Sequence, residues 1–312
     1  MSPRIAAIVP SRNRRSKTLR FLKGLSQQTS VEVGIILVDA NSSDGTPDAV
    51  FQEFPLISIL HVDDDSYWTA STNRGVVKAL EEGYDYILTI NDDGVINSNY
   101  LETLIRMIQK HQLMILGSRH DYLDDPSLVA SIGIGLDWNR HLVRILYADC
   151  PVQCLPAEVR NADILDVDTV TGNGTLFHRS VFDQVGLFDE KHMPHYYADS
   201  ELVLRAKRRG MRVCVTPQAI IWEDTPTPSE QVLARQEESD RSLWEDFIYT
   251  FFHKKSGEMI SAKLHFVLRH CPPQYKIQAI LRRTIGAMGG WWVRRLRRQM
   301  QRVLSPSLNN AN

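Results

Sequence analysis

Asp92 and Asp93 follow the strand-like run Tyr84–Ile90, separated from it only by Asn91. A β-branched and aromatic run bounded by polar residues reads as a buried strand. The two carboxylates then sit at its C-terminal mouth, the edge where open α/β sheets hold ligands. Adjacent acids repel each other unless something positive lies beside them. Mg²⁺ or Mn²⁺ carrying a diphosphate meets that need, because both ions take oxygen ligands and share them with phosphates. An Asx-rich turn leading into a helix near Ser98 accounts for the same residues. A second acidic pair, Asp199 and Glu201, opens a helical pattern running to Arg209. Residues two apart on a helix face different sides, so the two acids do not share one task. A carboxylate within reach of a hydroxyl can serve as a general base. A helix N-terminus also favours acids through its dipole alone.

Further residues suit a nucleotide or a sugar. Pro10 fixes the path of the loop leaving the first strand, which can wrap a base or ribose. Asp39 ends the second strand with a carboxylate able to accept from a base N–H. Asp39 and Asp44 can instead cap turns, a role that fits Asp44 best. Gly172 and Gly174 flank Asn173 in a segment that either lets backbone approach a ligand or makes a tight turn. Trp68 offers an aromatic face for stacking, or simply packs. Glu223 is an oxygen ligand or an exposed acid, and His195 a substrate contact or a packed histidine. Arg205, four residues after Glu201, forms an i,i+4 pair or meets a phosphate.

These residues need a scaffold. Apolar strands at 5–9, 33–38, 57–62, 84–90 and 113–117 alternate with helical patterns at 16–28, 46–53, 71–82 and 98–110. Such alternation predicts an α/β fold with a mostly parallel central sheet between helices. Gly133, Gly135, Pro151 and Pro156 break the pattern between Ser118 and Asp166, predicting a hairpin and loops at the ligand edge. A strand at 166–170 and helices at 179–185 and 197–209 follow, then strands at 212–215 and 219–222. Thr225–Ser229 marks a boundary. We therefore expect a catalytic domain over 1–225 and a helical region over 226–312.

Five segments together resemble the family 2 glycosyltransferases, which have a GT-A fold and use nucleotide-sugar donors. They are Val9–Arg14, Val38–Thr46, Asn73-Arg74-Gly75, Asn91-Asp92-Asp93, and Ala198–Glu201 with Arg205. The resemblance covers roughly residues 4–225. It implies that Asp93 binds the metal, with Asp92 on the ribose or in the metal shell and Glu223 a candidate third ligand. It implies nucleotide contacts from Pro10, Arg12, Asn13, Asp39 and Asn73. Asp199 matches the family's catalytic base. Gly172, Asn173, Gly174, His195, Glu201 and Trp68 are the expected acceptor or sugar pocket. The chain departs from the pattern at Asn91 and Ala198, where relatives carry acids, and at Glu223, where many carry histidine. The implied activity is an inverting, metal-dependent hexosyl or deoxyhexosyl transfer. The donor is UDP- or dTDP-linked and the acceptor a glycan or lipid-linked hydroxyl, in bacterial surface polysaccharide synthesis. A nucleotidyltransferase or a non-catalytic glycan binder are the rivals. The former usually has a glycine-rich signature near the first strand, and Val9–Arg14 has no glycine.

The net charge of −1 over 312 residues hides an asymmetry. No Asp or Glu follows Glu258, whereas ten Lys and Arg do; the first 258 residues then carry 26 basic and 37 acidic side chains. On a helix over 291–304, Trp292, Val293, Leu296, Met300, Val303 and Leu304 share one face and five arginines the other, with Trp291 misplaced. That pattern suits an anionic membrane surface, or a helix packed on the catalytic domain. No recognition motif supports nucleic-acid binding. The four cysteines show no metal-ligand spacing or disulfide framework. With a strand-like run beginning so near Met1 no signal peptide is expected, and no apolar run approaches a membrane span. The expected location is cytoplasmic, peripheral on the inner face of the cytoplasmic membrane.

Overall fold

The computed structural model describes residues 3–29, 31–140, 142–224 and 241–304. Strands β1 (Ile5–Ser11), β2 (Val33–Asp39), β3 (Ser58–His61) and β4 (Tyr86–Thr89) alternate with helices α1 (Arg15–Ser26), α2 (Thr46–Glu53) and α3 (Trp68–Glu81). β1 pairs in parallel with β2 and β4, and β2 with β3. Their unbroken apolar runs suit strands covered on both faces. Next come β5 (Gly94–Ile96), α4 (Tyr100–Lys110), β6 (Ile115–Tyr122), β7 (Leu128–Ser131), β8 (Ile134–Asp137), β9 (Leu142–Ile145), β10 (Cys150–Pro151) and α5 (Ala157–Arg160). β11 (Leu165–Asp166), β12 (Thr175–His178), α6 (Ser180–Val185), α7 (Ala198–Arg208) and β13 (Val213–Glu223) complete this half.

The main sheet runs β10-β7-β6-β12-β4-β1-β2-β3, with β13 alongside β6. Parallel pairing is narrower than the alternation predicts. β12 enters antiparallel between β4 and β6, and of the later strands only β13 and β6 run parallel. The two strands expected at 212–215 and 219–222 are one strand, β13, whose register slips between Thr216 and Ile220. Pro217 lies in that slip, where a residue without an N–H is tolerated. The strand expected at 166–170 is limited to Leu165–Asp166, and the predicted hairpin is β8–β9.

Alternate sheet residues feed two cores. Ile8, Ile36, Ile87 and Phe177 pack with Val76 of α3 and Leu202 of α7 on one face; Ile5, Leu37, Leu88 and Leu176 pack with Leu22 and Leu104 on the other. Gly75 lets α3 lie close to the sheet, since a Cβ there would sit 2.3 Å from Ile8 Cγ2. The Asn-Arg-Gly segment thus has a packing reason at its glycine.

The C-terminal region is helical, as expected: α8 (Leu243–Phe252), α9 (Ile260–His270), α10 (Pro273–Leu281) and α11 (Ala287–Leu304). The boundary at Thr225–Ser229 lies outside the described residues. Phe266 and Val267 of α9 join the same core as α7. Trp291, the residue that violated the helical wheel, is the anchor of α11. It is buried against Phe247 and Phe251, and its Nε1 donates to Asp246 Oδ2 at 3.0 Å. Trp292, Val293, Leu296 and Met300 are exposed, so these four residues of the apolar stripe do not pack on the catalytic domain. No described helix is long and apolar enough to cross a membrane.

Candidate active site

A cavity of about 460 Å³ opens where β1 and β4 end, bounded by the loops before β12 and α7. That is room for a small ligand such as a nucleotide. Pro10, Arg12, Arg14, Trp68, Asn91, Asp92, Gly172, Asn173, His195, Asp199 and Glu223 line it, so segments far apart in the chain converge.

The first wall is acidic. Asp92 is buried, accepting from Thr18 Oγ1 at 2.8 Å and from Arg14 Nη1 at 3.0 Å. The same Arg14 nitrogen donates to Asp93 Oδ2 at 2.8 Å. Desolvation, together with repulsion from Asp92 and Glu223, lifts the Asp93 carboxyl above its ordinary range even against Arg14. Glu223 accepts from His120 Nδ1 at 2.7 Å and from Asn173 Nδ2 at 2.6 Å, and it is held below its ordinary value, with burial opposed chiefly by His120. Asp92, Asp93 and Glu223 offer only oxygen donors, the chemistry that suits Mg²⁺ or Mn²⁺. Among the described residues their carboxylates do not gather closely enough to form a ligand group by themselves, and Arg14 supplies the positive charge between Asp92 and Asp93.

Asp199 lines the same cavity. Tyr197, two residues earlier, has φ 72°, a left-handed conformation that a bulky residue rarely adopts and that sets the start of α7. Asp199 Oδ2 accepts from the Gly172 N–H and Oδ1 from the Ser200 N–H, both at 2.7 Å. Burial pushes this carboxyl above its ordinary range, and the backbone N–H groups only partly oppose it. A raised pKa suits a proton acceptor working near neutrality. Gly172 gives the Trp68 ring its room, because a Cβ would lie 2.2 Å from that ring and force it to shift. Trp68 Nε1 donates to Asn91 Oδ1 at 3.0 Å, and the Asn91 N–H donates to Asn173 Oδ1 at 2.9 Å. A polar chain Trp68–Asn91–Asn173–Glu223–His120 therefore runs across the cavity floor.

Two polar atoms at or beside the cavity have no protein partner. Asp39 is buried and its Oδ2 takes the Ser42 N–H at 3.0 Å, leaving Oδ1 orphaned behind the cavity-lining Ala40. His195 Nδ1 is likewise buried and unpartnered. Burial first, then Lys255 and Arg14, push His195 down to about 4, so the ring is neutral at pH 7. Arg12 hydrogen-bonds the Asp64 carbonyl across the mouth.

Several expected contacts lie elsewhere. Asn13 (φ 51°) clips two loops, its N–H donating to Ser42 Oγ at 2.9 Å and its Oδ1 accepting the Ser43 N–H at 2.7 Å. Asp44 caps as expected, taking the N–H groups of Arg15 and Thr46. Asn73 is turned from the cavity. Its amide donates to the Phe188 carbonyl and Glu190 and accepts the Phe188 N–H, which makes it a staple for the loop before α7. Glu201 is fully buried and held by Arg205 at 2.8 Å, Arg269 at 3.1 Å and His270 at 3.2 Å, so it anchors α9 and does not face the cavity. Arg205 is accordingly a structural i,i+4 partner. Gly174 and Asp93 are outside the lining as well. Sequence reasoning missed Arg14 as the bridge of the acidic pair, although it ends the first motif. It also missed His120 and Lys255, which no local pattern marks.

Among the described residues, the group whose ligand atoms approach closely enough to hold a metal is Asp189, His192 and His265, and none of these lines this cavity. The two imidazole rings are stacked at 3.9 Å and Arg269 already faces Asp189.

Residues 3–238 match a family model described as glycosyltransferase like family 2. The chain belongs to that family. It is a glycosyl-transfer enzyme with a GT-A fold, as the motifs implied. Among curated proteins, it is 25% identical over 223 residues to the N-acetylglucosaminyl-diphospho-decaprenol L-rhamnosyltransferase of Mycobacterium tuberculosis, covering 64% of this chain and 69% of that one. It is 26% identical over 126 residues to the glycosyltransferase GlyG of Streptococcus pneumoniae, but spans only 41% of that relative's length and 39% of its own. Solved structures share the fold. The mannosyltransferase PcManGT of Pyrobaculum calidifontis, in complex with GDP-Man and Mn²⁺, superposes with TM-score 0.53 at 15% identity, covering 91% of this chain and 69% of that one. GalNAc-T7 with UDP, GalNAc and Mn²⁺ gives 0.56 at 14% identity, covering 80% and 50%.

Proposed function

We propose that this glycosyltransferase is divalent-metal dependent and inverting, and that it moves a sugar from a UDP- or dTDP-linked donor to a hydroxyl of a glycan or lipid-linked acceptor. The observation that carries this reading is that Asp92, next to Asp93, and Asp199 line one and the same cavity. Asp39 Oδ1, buried without a donor, suits a base N–H. Asp93, Asp92 and Glu223 would hold Mg²⁺ or Mn²⁺, which neutralises charge on a departing diphosphate. Arg14 adds fixed positive charge beside the same leaving group. Asp199 accepts the acceptor proton through a carboxylate already oriented by two backbone N–H groups. The hydroxyl oxygen then attacks the anomeric carbon from the face opposite the diphosphate, and that geometry inverts the centre. His195, kept neutral, can hydrogen-bond a sugar hydroxyl without adding charge. The name of the mycobacterial relative supports a lipid-linked acceptor and bacterial surface glycan synthesis. The basic, apolar α11 supports work at the inner face of the cytoplasmic membrane.

The test is a panel of UDP- and dTDP-sugars read by thermal shift with Mn²⁺ and with EDTA, followed by NMR of the product anomer. A metal-dependent rise in melting temperature and an inverted product are expected. Absence of any donor response, or a retained anomer, would discard the reading. Deleting residues 287–312 should lower sedimentation with anionic liposomes; unchanged sedimentation rejects the membrane assignment.

A further inference from the structure

Helix α8 carries a second concavity outside the catalytic cavity. Trp244, Ile248 and Phe252 form its floor, with Arg241 and His253 at its rim. The three floor residues recur every fourth position and so share one helix face. They are 70%, 40% and 55% exposed. The adjoining face of α8 is firmly seated, with Phe247 and Phe251 against the buried Trp291. Glu245, the acid on the rim, is committed to capping the helix through the Ser242 N–H at 3.0 Å. The exposed face is therefore an apolar trough without a free acid among its lining residues.

One end of the trough meets the catalytic cavity. The His253 ring packs edge-on to Tyr67 at 6.5 Å, and Lys254 Nζ lies 5.3 Å from the Tyr67 ring centre. Tyr67 and Lys255 both line the cavity. At the other end, Trp244 stacks on Phe247 at 5.9 Å, Phe247 meets Trp291 at 5.4 Å, and Trp291 meets the exposed Trp292 of α11 at 5.0 Å. Through these contacts the apolar trough thus adjoins α11 at one end and, through a basic junction, the cavity lined by Asp199 at the other. A lipid diphosphate sugar has the same order of parts: hydrocarbon, anionic phosphates, hydroxyl-bearing ring.

We propose that the α8 trough seats the prenyl chain of a polyprenyl-diphosphate-linked acceptor, that Lys254 and Lys255 receive its diphosphate, and that its sugar hydroxyl thereby reaches Asp199. This rests on the glycosyltransferase reading and adds the acceptor class and its route. A surface that only touched a bilayer would need apolar side chains, but no trough ending in cations at the catalytic mouth.

Calorimetric titration of the full chain with farnesyl diphosphate, dimethylallyl diphosphate and inorganic diphosphate tests it. Farnesyl diphosphate should bind at least about tenfold more tightly than dimethylallyl diphosphate, because more hydrocarbon leaves water. Trp244→Glu and Phe252→Glu should erase that chain-length preference, while Lys254→Ala weakens both prenyl ligands alike. UDP titration with Mn²⁺ accompanies each variant. Retained UDP affinity in the trough variants shows an intact fold, and a wild type that ignores UDP counts against the donor reading alone. Equal affinity for long and short prenyl chains in the wild type would overturn the proposal. So would an undiminished preference in Trp244→Glu, or equally tight binding of an uncharged alkyl glycoside.

Discussion

The catalytic cavity and the C-terminal helices differ in what they turn outward, although each buries polar atoms without partners, those of the helices being His265 Nε2, His270 Nδ1 and Arg283 Nε. In the cavity region the orphans are polar: Asp39 Oδ1 and His195 Nδ1 are buried without a hydrogen bond. On the C-terminal helices many large apolar side chains face outward, among them Trp244, Ile277, Ile285 and Trp292. Unmade buried hydrogen bonds cost roughly 1–3 kcal/mol each, and an exposed apolar patch forgoes about 25 cal/mol per Å². Neither cost is sensible for a molecule working alone. On the reading proposed above, the first region takes a hydrogen-bonding ligand and the second a greasy one, and the two meet at Tyr67 and His253.

The sharpest way to break this contrast is at the cavity. Asp199→Asn should lower kcat by about 10²–10⁴-fold with donor binding retained, as expected for loss of a general base. Turnover near the wild-type level would remove Asp199 from the chemistry. Next in size, Trp291→Ala should cost about 3–5 kcal/mol of local packing. Hydrogen exchange should show α8 and α11 loosened while UDP still binds; loosening that reached β1 and β4 would mean that the two regions fold as one unit. Gly172→Ala drives a methyl into Trp68 and should destabilise by about 1–3 kcal/mol, seen as a lower melting temperature. Combining it with Trp68→Leu should recover part of that loss.

A subtler contrast concerns pH. The folded-state value of His195, about 4, lies below the ordinary 6.5. Between those values the unfolded chain binds a proton that the folded chain refuses, so this residue removes stability as pH falls through that window. His195→Gln should flatten the acid side of the stability curve between 6.5 and about 4, and an unchanged curve would contradict the buried neutral ring. Smallest of all, Trp292→Ser should shift global stability by no more than about 0.5 kcal/mol, since the residue is exposed. Any reduction in liposome binding it produces would then report surface contact and not folding.

Much of this was legible in the chain. β1, β2 and the acids after β4 follow from apolar runs and from the rule that ligands gather at strand ends. The order of the later strands did not, because β12 reaches its place between β4 and β6 through contacts far away in sequence. Asn73 and Glu201 show the same limit at single residues. Each sits in a motif, yet each is used as a buried fastener, by loop carbonyls in one case and by Arg205, Arg269 and His270 in the other. Spacing reveals which side chains occur together; it does not reveal which way they turn. Trp291 is the instructive converse. Its misfit on the wheel was the mark of the residue that docks the helix.

The polar relay from Trp68 through Asn91 and Asn173 to Glu223 has a consequence for anyone redesigning this enzyme. Because it physically joins the strip beside the acids to the strip beside Asp199, exchanges at Asn91 and Asn173 should not add. Retargeting would have to proceed by replacing linked residues as sets, with single swaps judged poorly even when the paired change succeeds.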